Sequence, residues 1–324
     1  MRVVRSNRQV RGISLVEVLV SMAIGLVVVA AVIVSFLGSG KASRYQAALS
    51  QMNQDAQIGL NLLAGEFQLA GYSQPSALTN INAANPLVTP SWVVSYNLGT
   101  VTAPVFGCDG TRGSVPFVTA TAASLTCGAS VTPTVSAFEV VYEADAKNTV
   151  PAAGGIPVDC LGGAIAATVS PSGNTYYVAR NRYFVDISNG ANASGRPELY
   201  CASDKAGGSK QPLLENVEDM QVWYGVQAAA GTRQVVRYAK AGKDATTPST
   251  VNSVGAAEWA NVISVRICLL MRSADPVFNE TAVAAGNEDT LTYQDCDSVT
   301  RTSTDRYMRR AYFTTSTLRS KMAF

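Results

Sequence analysis

One run of side chains limits every fold open to this chain. From Ile13 to Leu37 there are 25 residues, and Glu17 is the only charged one. As a helix at 1.5 Å per residue the run is about 37 Å long, enough to cross a bilayer with some tilt. Arg2, Arg5, Arg8 and Arg11 precede it. Basic flanks stay in the cytoplasm, so everything after Leu37 is expected on the far side of the membrane. A cleavable secretory signal has a shorter apolar core with small residues after it. Here the small residue, Gly12, stands before the core. Glu17 also needs a reason. An ionisable group costs about 2.5–3.5 kcal/mol at the centre of a membrane and less near its edge. A cation at the same depth removes that cost.

The exported part must work without histidine, since the chain has none. That excludes Ser/His/Asp and Cys/His catalysis, the usual zinc sites and a histidine pH switch. No cofactor and no metal are expected. Four of the 25 basic residues lie before Gly12, which leaves 21 against 23 acidic ones, a formal −2. No global field points to nucleic acid. Six cysteines, Cys108, Cys127, Cys160, Cys201, Cys268 and Cys296, all fall on the exported side. An even number in an oxidising compartment reads as disulfides. The sequential pairing Cys108–Cys127, Cys160–Cys201 and Cys268–Cys296 is favoured because each bond closes a local loop. No pair has the CxxC spacing of a redox or metal site.

Beyond Leu37 the helix is expected to continue. Tyr45, Leu49, Met52, Ala56, Leu60, Leu63, Phe67 and Ala70 recur at steps of three and four, forming one apolar stripe. Gly71 suits a C-cap and Pro75 forbids resumption. Any bend would fall at Gly25, Gly38 or Gly40. After residue 73 the composition turns to short β-prone runs between turn residues. Candidate strands are 91–96, 137–142, 175–187, 198–202, 217–226, 233–239, 262–272 and 310–318. In the clearest, Ile263, Val265, Ile267, Leu269 and Met271 face a core, and the alternating set faces mostly water. Cys268 belongs to that second set and suits a bond to a covering loop. The fold class is therefore α+β. A long N-terminal helix, half transmembrane and half amphipathic, packs on a disulfide-containing, mainly antiparallel β-sheet head.

Gly12, Ile13, Ser14, Leu15, Val16 and Glu17 resemble the class III signal of type IV pilins and pseudopilins. The resemblance makes residues 1–12 a cytoplasmic leader that the prepilin peptidase removes after Gly12. Ile13 becomes the N-methylated first residue, and Glu17 the carboxylate that pairs with a neighbour's terminal amine during assembly. Residues 13–72 become the pilin helix, transmembrane over 13–37, and residues 73–324 the periplasmic or extracellular head. Major pilins often carry a proline where this chain has Val34. The stretch 43–72, which ends in Ala70, Gly71 and Tyr72, resembles the PilW branch of minor pilins. So do 213–227, 259–273 and 309–320. Residues 73–212 resemble nothing beyond a loop-rich β region.

A PilW-type minor pilin is expected to act by assembly and not by catalysis, with its head packed among other minor pilins at the filament tip. The implied partners are the prepilin peptidase, other minor pilins, the major pilin, the inner-membrane assembly platform and a large tip adhesin. The expected route runs from the inner membrane, N-terminus in the cytoplasm, to the pilus tip. A J-type minor pseudopilin of type II secretion shares this layout. An adhesin or DNA-uptake receptor subunit and a membrane-anchored periplasmic enzyme are rivals of other classes. The acidic groups Glu215/Glu218/Asp219, Asn287/Glu288/Asp289 and Asp295/Asp297 lack calcium-loop spacing and read as solvated turns. Arg301, Arg306, Arg309, Arg310, Arg319 and Lys321, with Tyr307, Tyr312 and Phe313 nearby, form a basic stretch whose aromatics fit a core as well as a stacking surface.

Overall fold

The computed structural model describes residues 14–80, 92–97, 103–111, 134–170, 173–187, 195–203, 210–242, 253–278, 292–303 and 305–322. The chain divides into two units, with the boundary between Ser50 and Gln51. Helix α1, Leu15–Leu69, begins in the first unit and ends in the second.

In the first unit Leu15–Phe36, 22 residues, is long and apolar enough to cross a membrane, and none of it is buried. Straight-chain and β-branched apolar residues on every side leave no polar face to define a stripe. The helix runs without interruption through Gly25, Gly38 and Gly40. Tyr45, expected on the buried stripe, is exposed.

The second unit is built around the last turns of α1. Met52, Ala56, Leu60, Leu63, Phe67 and Ala70 are all buried, in steps of three and four. The chain then supplies β1 (Pro75–Asn80), β2 (Trp92–Tyr96), β3 (Val105–Thr111), β4 (Thr134–Ala144), β5 (Ala167–Val169), β6 (Thr175–Ile187) and β7 (Pro197–Ser203). It continues with β8 (Lys210–Glu215), β9 (Val217–Gln227), β10 (Val235–Ala239), a 3₁₀ turn at Ala256–Asn261 and β11 (Val262–Arg272). Last come β12 (Thr292–Gln294), β13 (Thr300–Thr302), β14 (Arg309–Thr317) and a short helix, Arg319–Met322.

Two antiparallel sheets carry the unit. One has the order β3-β4-β6-β7-β8, with β5 on β6, and the other β10-β9-β11-β14. One face of the larger sheet meets α1 through a ring stack: Phe67 lies 4.4 Å from Phe138, and Phe138 lies 5.2 Å from Tyr183. At Gly59 the helix passes close against side chains of both sheets. A β-carbon there would lie 2.6 Å from Leu214 and 3.1 Å from Leu269, so only glycine fits without a shift. The smaller sheet turns Ile263, Val265, Ile267, Leu269 and Met271 inward, all fully buried.

The opposite face of β11 departs from the expected water-facing set. Ser264, Cys268 and Leu270 are buried, and only Arg266 is exposed. The β12–β13 hairpin explains this. It brings Cys296 and Tyr293 over Cys268 and Leu270, with Trp223 and Ala311 at the margin, so the sheet has apolar material on both sides there.

Candidate functional site

Glu17 stands in the first turn of α1. The unpaired N–H groups of a helix start carry partial positive charge, so a carboxylate is better placed there than mid-helix. Ser21 Oγ donates to the Glu17 carbonyl at 2.7 Å, and the Val18 N–H donates to the Ser14 carbonyl at 3.2 Å. Gly12 and Ile13 lie outside the described residues.

The other end of α1 is clamped by the last strand and the short helix after it. Tyr312 Oη donates to Asn53 Oδ1 at 2.6 Å, Ser316 Oγ to the Ala64 carbonyl at 3.0 Å, and Ser320 Oγ to the Ala70 carbonyl at 2.7 Å. Ala70 lies just past the last helical residue, where carbonyls lack intrahelical partners, so the Ser320 hydroxyl satisfies one of them. Gly71 then turns the chain at φ +72°, and its N–H donates to the Val141 carbonyl at 2.8 Å. A side chain at Gly71 would meet Ser320 and Pro104, so the position needs glycine for space as well as for its dihedral.

Glu66 is a carboxylate on this buried side of α1. Asn181 Nδ2 donates to it at 3.1 Å and also to Tyr142 Oη at 3.2 Å. Burial pushes the Glu66 carboxyl above its ordinary range, against the opposing hydrogen bonds of Asn181 and Tyr183. Asn181 Oδ1 in turn accepts from the Cys160 N–H at 3.1 Å, which ties the helix to a disulfide loop. Past the helix, Glu143 accepts from Ser73 Oγ and the Gln74 N–H, each at 2.7 Å, and from Asn97 Nδ2 at 2.9 Å. That carboxylate fixes the exit turn.

Disulfides join Cys160 to Cys201 and Cys268 to Cys296. Cys108 is buried and disulfide-bonded, and its expected partner Cys127 lies outside the described residues. Of the acidic residues read as solvated turns, Glu215, Glu218 and Asp295 pair with arginines and Asp297 with Lys240. Glu218 and Asp305 both grip Arg309, and Asp295 accepts from Arg301 Nε at 2.8 Å. Hydrogen bonding from Arg309 drives the Asp305 carboxyl down to about 2. Glu215 pairs with Arg196 at 3.7 Å, and Asn287, Glu288 and Asp289 lie outside the described residues. Among the described residues no group of three or more acidic or cysteine side chains is placed to hold a metal ion. The C-terminal basic stretch is therefore partly neutralised, with Arg301 and Arg309 engaged within the head. Sequence reasoning missed Glu139, buried and accepting from Arg182 Nε at 2.7 Å and Arg180 Nη1 at 3.0 Å. The charges at 139, 180 and 182 alternate on neighbouring strands, which was the available signal.

The helix start, its clamped end and the antiparallel head correspond to two family models. The prokaryotic N-terminal methylation motif matches residues 7–33. The type IV pilus-assembly protein W model, PilW, matches residues 175–320. The chain is a type IV pilin-like protein of the PilW type.

The PilW match begins at β6 and ends at Ser320, so it takes in 213–227, 259–273 and 309–320 but not 43–72. It therefore includes Asn181, the Cys268–Cys296 bond and all three hydroxyls of β14 and beyond that hold α1. No curated protein and no solved structure matches the chain. PilW is a pilus-assembly family, and the methylation motif together with the apolar helix supports membrane anchoring in the cell envelope.

Proposed function

We propose that this PilW-type protein is a minor pilin that primes type IV pilus assembly and remains at the filament tip. The observation that carries the reading is Glu17, a single carboxylate in the first turn of an otherwise apolar 22-residue span. Prepilin peptidase cuts after Gly12, and the methylated Ile13 supplies an ammonium at the depth of that carboxylate. Residues 1–12 are the lost leader, 13–72 the pilin helix and 73–324 the exported head. In hydrocarbon an ion pair between Glu17 and the first residue of a neighbouring subunit is far stronger than at a surface, and leaving one partner alone costs several kcal/mol. The head packs with other minor pilins, beneath a tip adhesin and above the major pilin, after waiting in the inner membrane on the assembly platform. The pilus-assembly match favours this over a secretion pseudopilin.

The test is Glu17→Val. The span becomes uniformly apolar, so insertion is retained or improved. Cleavage after Gly12 persists, shown by intact mass. The variant is membrane-bound and processed, yet scarce in sheared filaments, and pilus number falls. Wild-type piliation with wild-type recovery of the variant in filaments would sink the assembly role.

A further inference from the structure

Four strands end the two main sheets, and three of them are protected. β3 contains Gly107 and Gly110, and Asp109 on it donates its N–H to the Gly242 carbonyl at 3.0 Å. β8 contains Pro212, and its register with β7 shifts between Leu199 and Tyr200. β10 has only 5 residues, shifts register between Val235 and Arg237, and is flanked by the Lys240–Ser253 bridge. Such devices are how natural sheets blunt their edges. β14 has none of them. It is 9 residues long, RRAYFTTST, without proline or glycine, and its register against β11 runs unbroken from Arg309 to Thr317.

The phase of that ladder identifies the unpaired backbone. The Leu318 N–H donates to the Ile263 carbonyl, and the Ser273 N–H to the Met308 carbonyl. Bonded residues alternate in an antiparallel pair, so the even-numbered residues of β14 turn their N–H and C=O groups toward β11. The odd-numbered residues turn theirs away. Among the described residues nothing bonds to those outward groups from Phe313 to Thr317. The β12–β13 hairpin packs on Ala311, and beyond it Phe313 borders an open cleft shared with Tyr293 and Ser298. Phe313 is 41% exposed, and Thr315 and Thr317 are exposed.

Charge says what fits. Arg310 is exposed, lies over the Tyr312 ring and has no carboxylate partner among the described residues. Arg266, one strand in, is exposed and likewise lacks one. Its guanidinium lies 4.8 Å from the Phe313 ring and 5.6 Å from that of Trp223. β14 itself has no acidic residue, so a second copy of β14 would offer Arg310 no carboxylate.

We propose that the free edge of β14 is a strand-addition site, which takes an extended, carboxylate-bearing segment of another protein beside Phe313–Thr317. Main-chain bonds to the odd-numbered residues supply affinity, and Arg310 and Arg266 select an acidic strand, one on each face of the sheet. That the partner is a fellow pilus subunit rests on the assembly reading; the site itself does not.

The test uses the full chain in detergent micelles and two strand-length peptides. One alternates threonine and valine with aspartate, and the other carries lysine in place of aspartate. Backbone hydrogen exchange is followed along β14. The aspartate peptide is expected to slow exchange at Phe313, Thr315 and Thr317 by about ten-fold or more, with the lysine peptide inert. Thr315→Pro removes one outward N–H and leaves the β11 ladder intact, so protection is lost while the fold is kept. Arg310→Glu weakens the preference for the aspartate peptide or reverses it, a readout that holds even if the proline variant misfolds. Equal protection by both peptides, none by millimolar aspartate peptide, or protection that rises with protein concentration alone would overturn the proposal. Failure of Glu17→Val to affect piliation would leave these exchange results standing, so the two readings fail separately.

Discussion

The two halves of α1 share one backbone conformation and differ in everything around it. Leu15–Phe36 exposes apolar side chains on all sides, while Gln51 to Leu69 buries one stripe and leaves Gln51, Gln57 and Asn61 in water. Each half also carries a carboxylate in apolar surroundings. Glu17 sits at the helix start, and Glu66 sits among Asn181, Tyr142 and Tyr183. The lesson is that one backbone conformation serves both lengths, and side-chain pattern decides what each packs against.

Matched truncations should break the comparison most sharply. Phe67→Ala removes the ring stacked on Phe138 and should cost about 3–5 kcal/mol, visible as a large fall in Tm of the detergent-solubilised chain. Val28→Ala, at a position 55% exposed, should leave that transition unchanged. Equal losses would mean that the halves are not distinct in kind.

Replacing Cys160 and Cys201 together by serine should come next. The bond closes a loop of 41 residues, and its loss should cost about 2–4 kcal/mol. The loop also presents the Cys160 N–H to Asn181, so the effect should include weaker hold on Glu66. A double cycle with Glu66→Gln should therefore be non-additive by about 0.5 kcal/mol or more.

The smallest effect should come from Glu66→Gln alone. Burial raises the Glu66 pKa in the folded state above the unfolded value, against hydrogen bonds from Asn181 and Tyr183. A raised acid contributes full stability below its unfolded pKa and loses it as pH rises through the folded one. The amide should therefore melt at a higher temperature than wild type at neutral pH, by a few degrees at about 2–4 °C per kcal/mol. The gap should close as pH falls to about 4. Tyr142, Tyr183 and Asp159 face the same pocket, but the tyrosines stay neutral across that window because burial raises both. A variant less stable than wild type at neutral pH would show that Glu66 is held as a useful charge.

Much of this architecture was legible in the chain. The stripe from Met52 to Ala70 gave the buried face, and β6 and β11 announced themselves through β-branched and aromatic runs with bounds that match. β3 escaped because Gly107 and Gly110 weaken its propensity. It forms because a neighbour needs the space: a β-carbon at Gly107 would lie within 2.6 Å of the Tyr224 ring. β1 escaped because Pro75 reads as a stop, yet proline is tolerated at the first residue of a strand. At the candidate site, Gly12, Ile13 and Glu17 fall within the local stretch that the methylation motif matches, residues 7–33. The clamp on α1 has no such local motif. Tyr312, Ser316 and Ser320 look like ordinary strand and turn residues, and their partners lie about 250 positions away. Hydrogen bonds across that separation leave no periodic trace in sequence.

That separation has a consequence for the order of events in the cell. α1 is made first, and its last turns are bonded by residues as late as Ser320. Until translation and export have delivered β14, Ala64 and Ala70 lack their hydroxyl partners, and the stripe from Met52 to Ala70 has only part of its seat. If the head is exported as proposed, it closes only once β14 has been delivered. A chain stalled or clipped before β14 would present an apolar helix face and the unpaired edge of β11 to the envelope's quality-control proteases, so incomplete subunits mark themselves for removal before any filament can take them up.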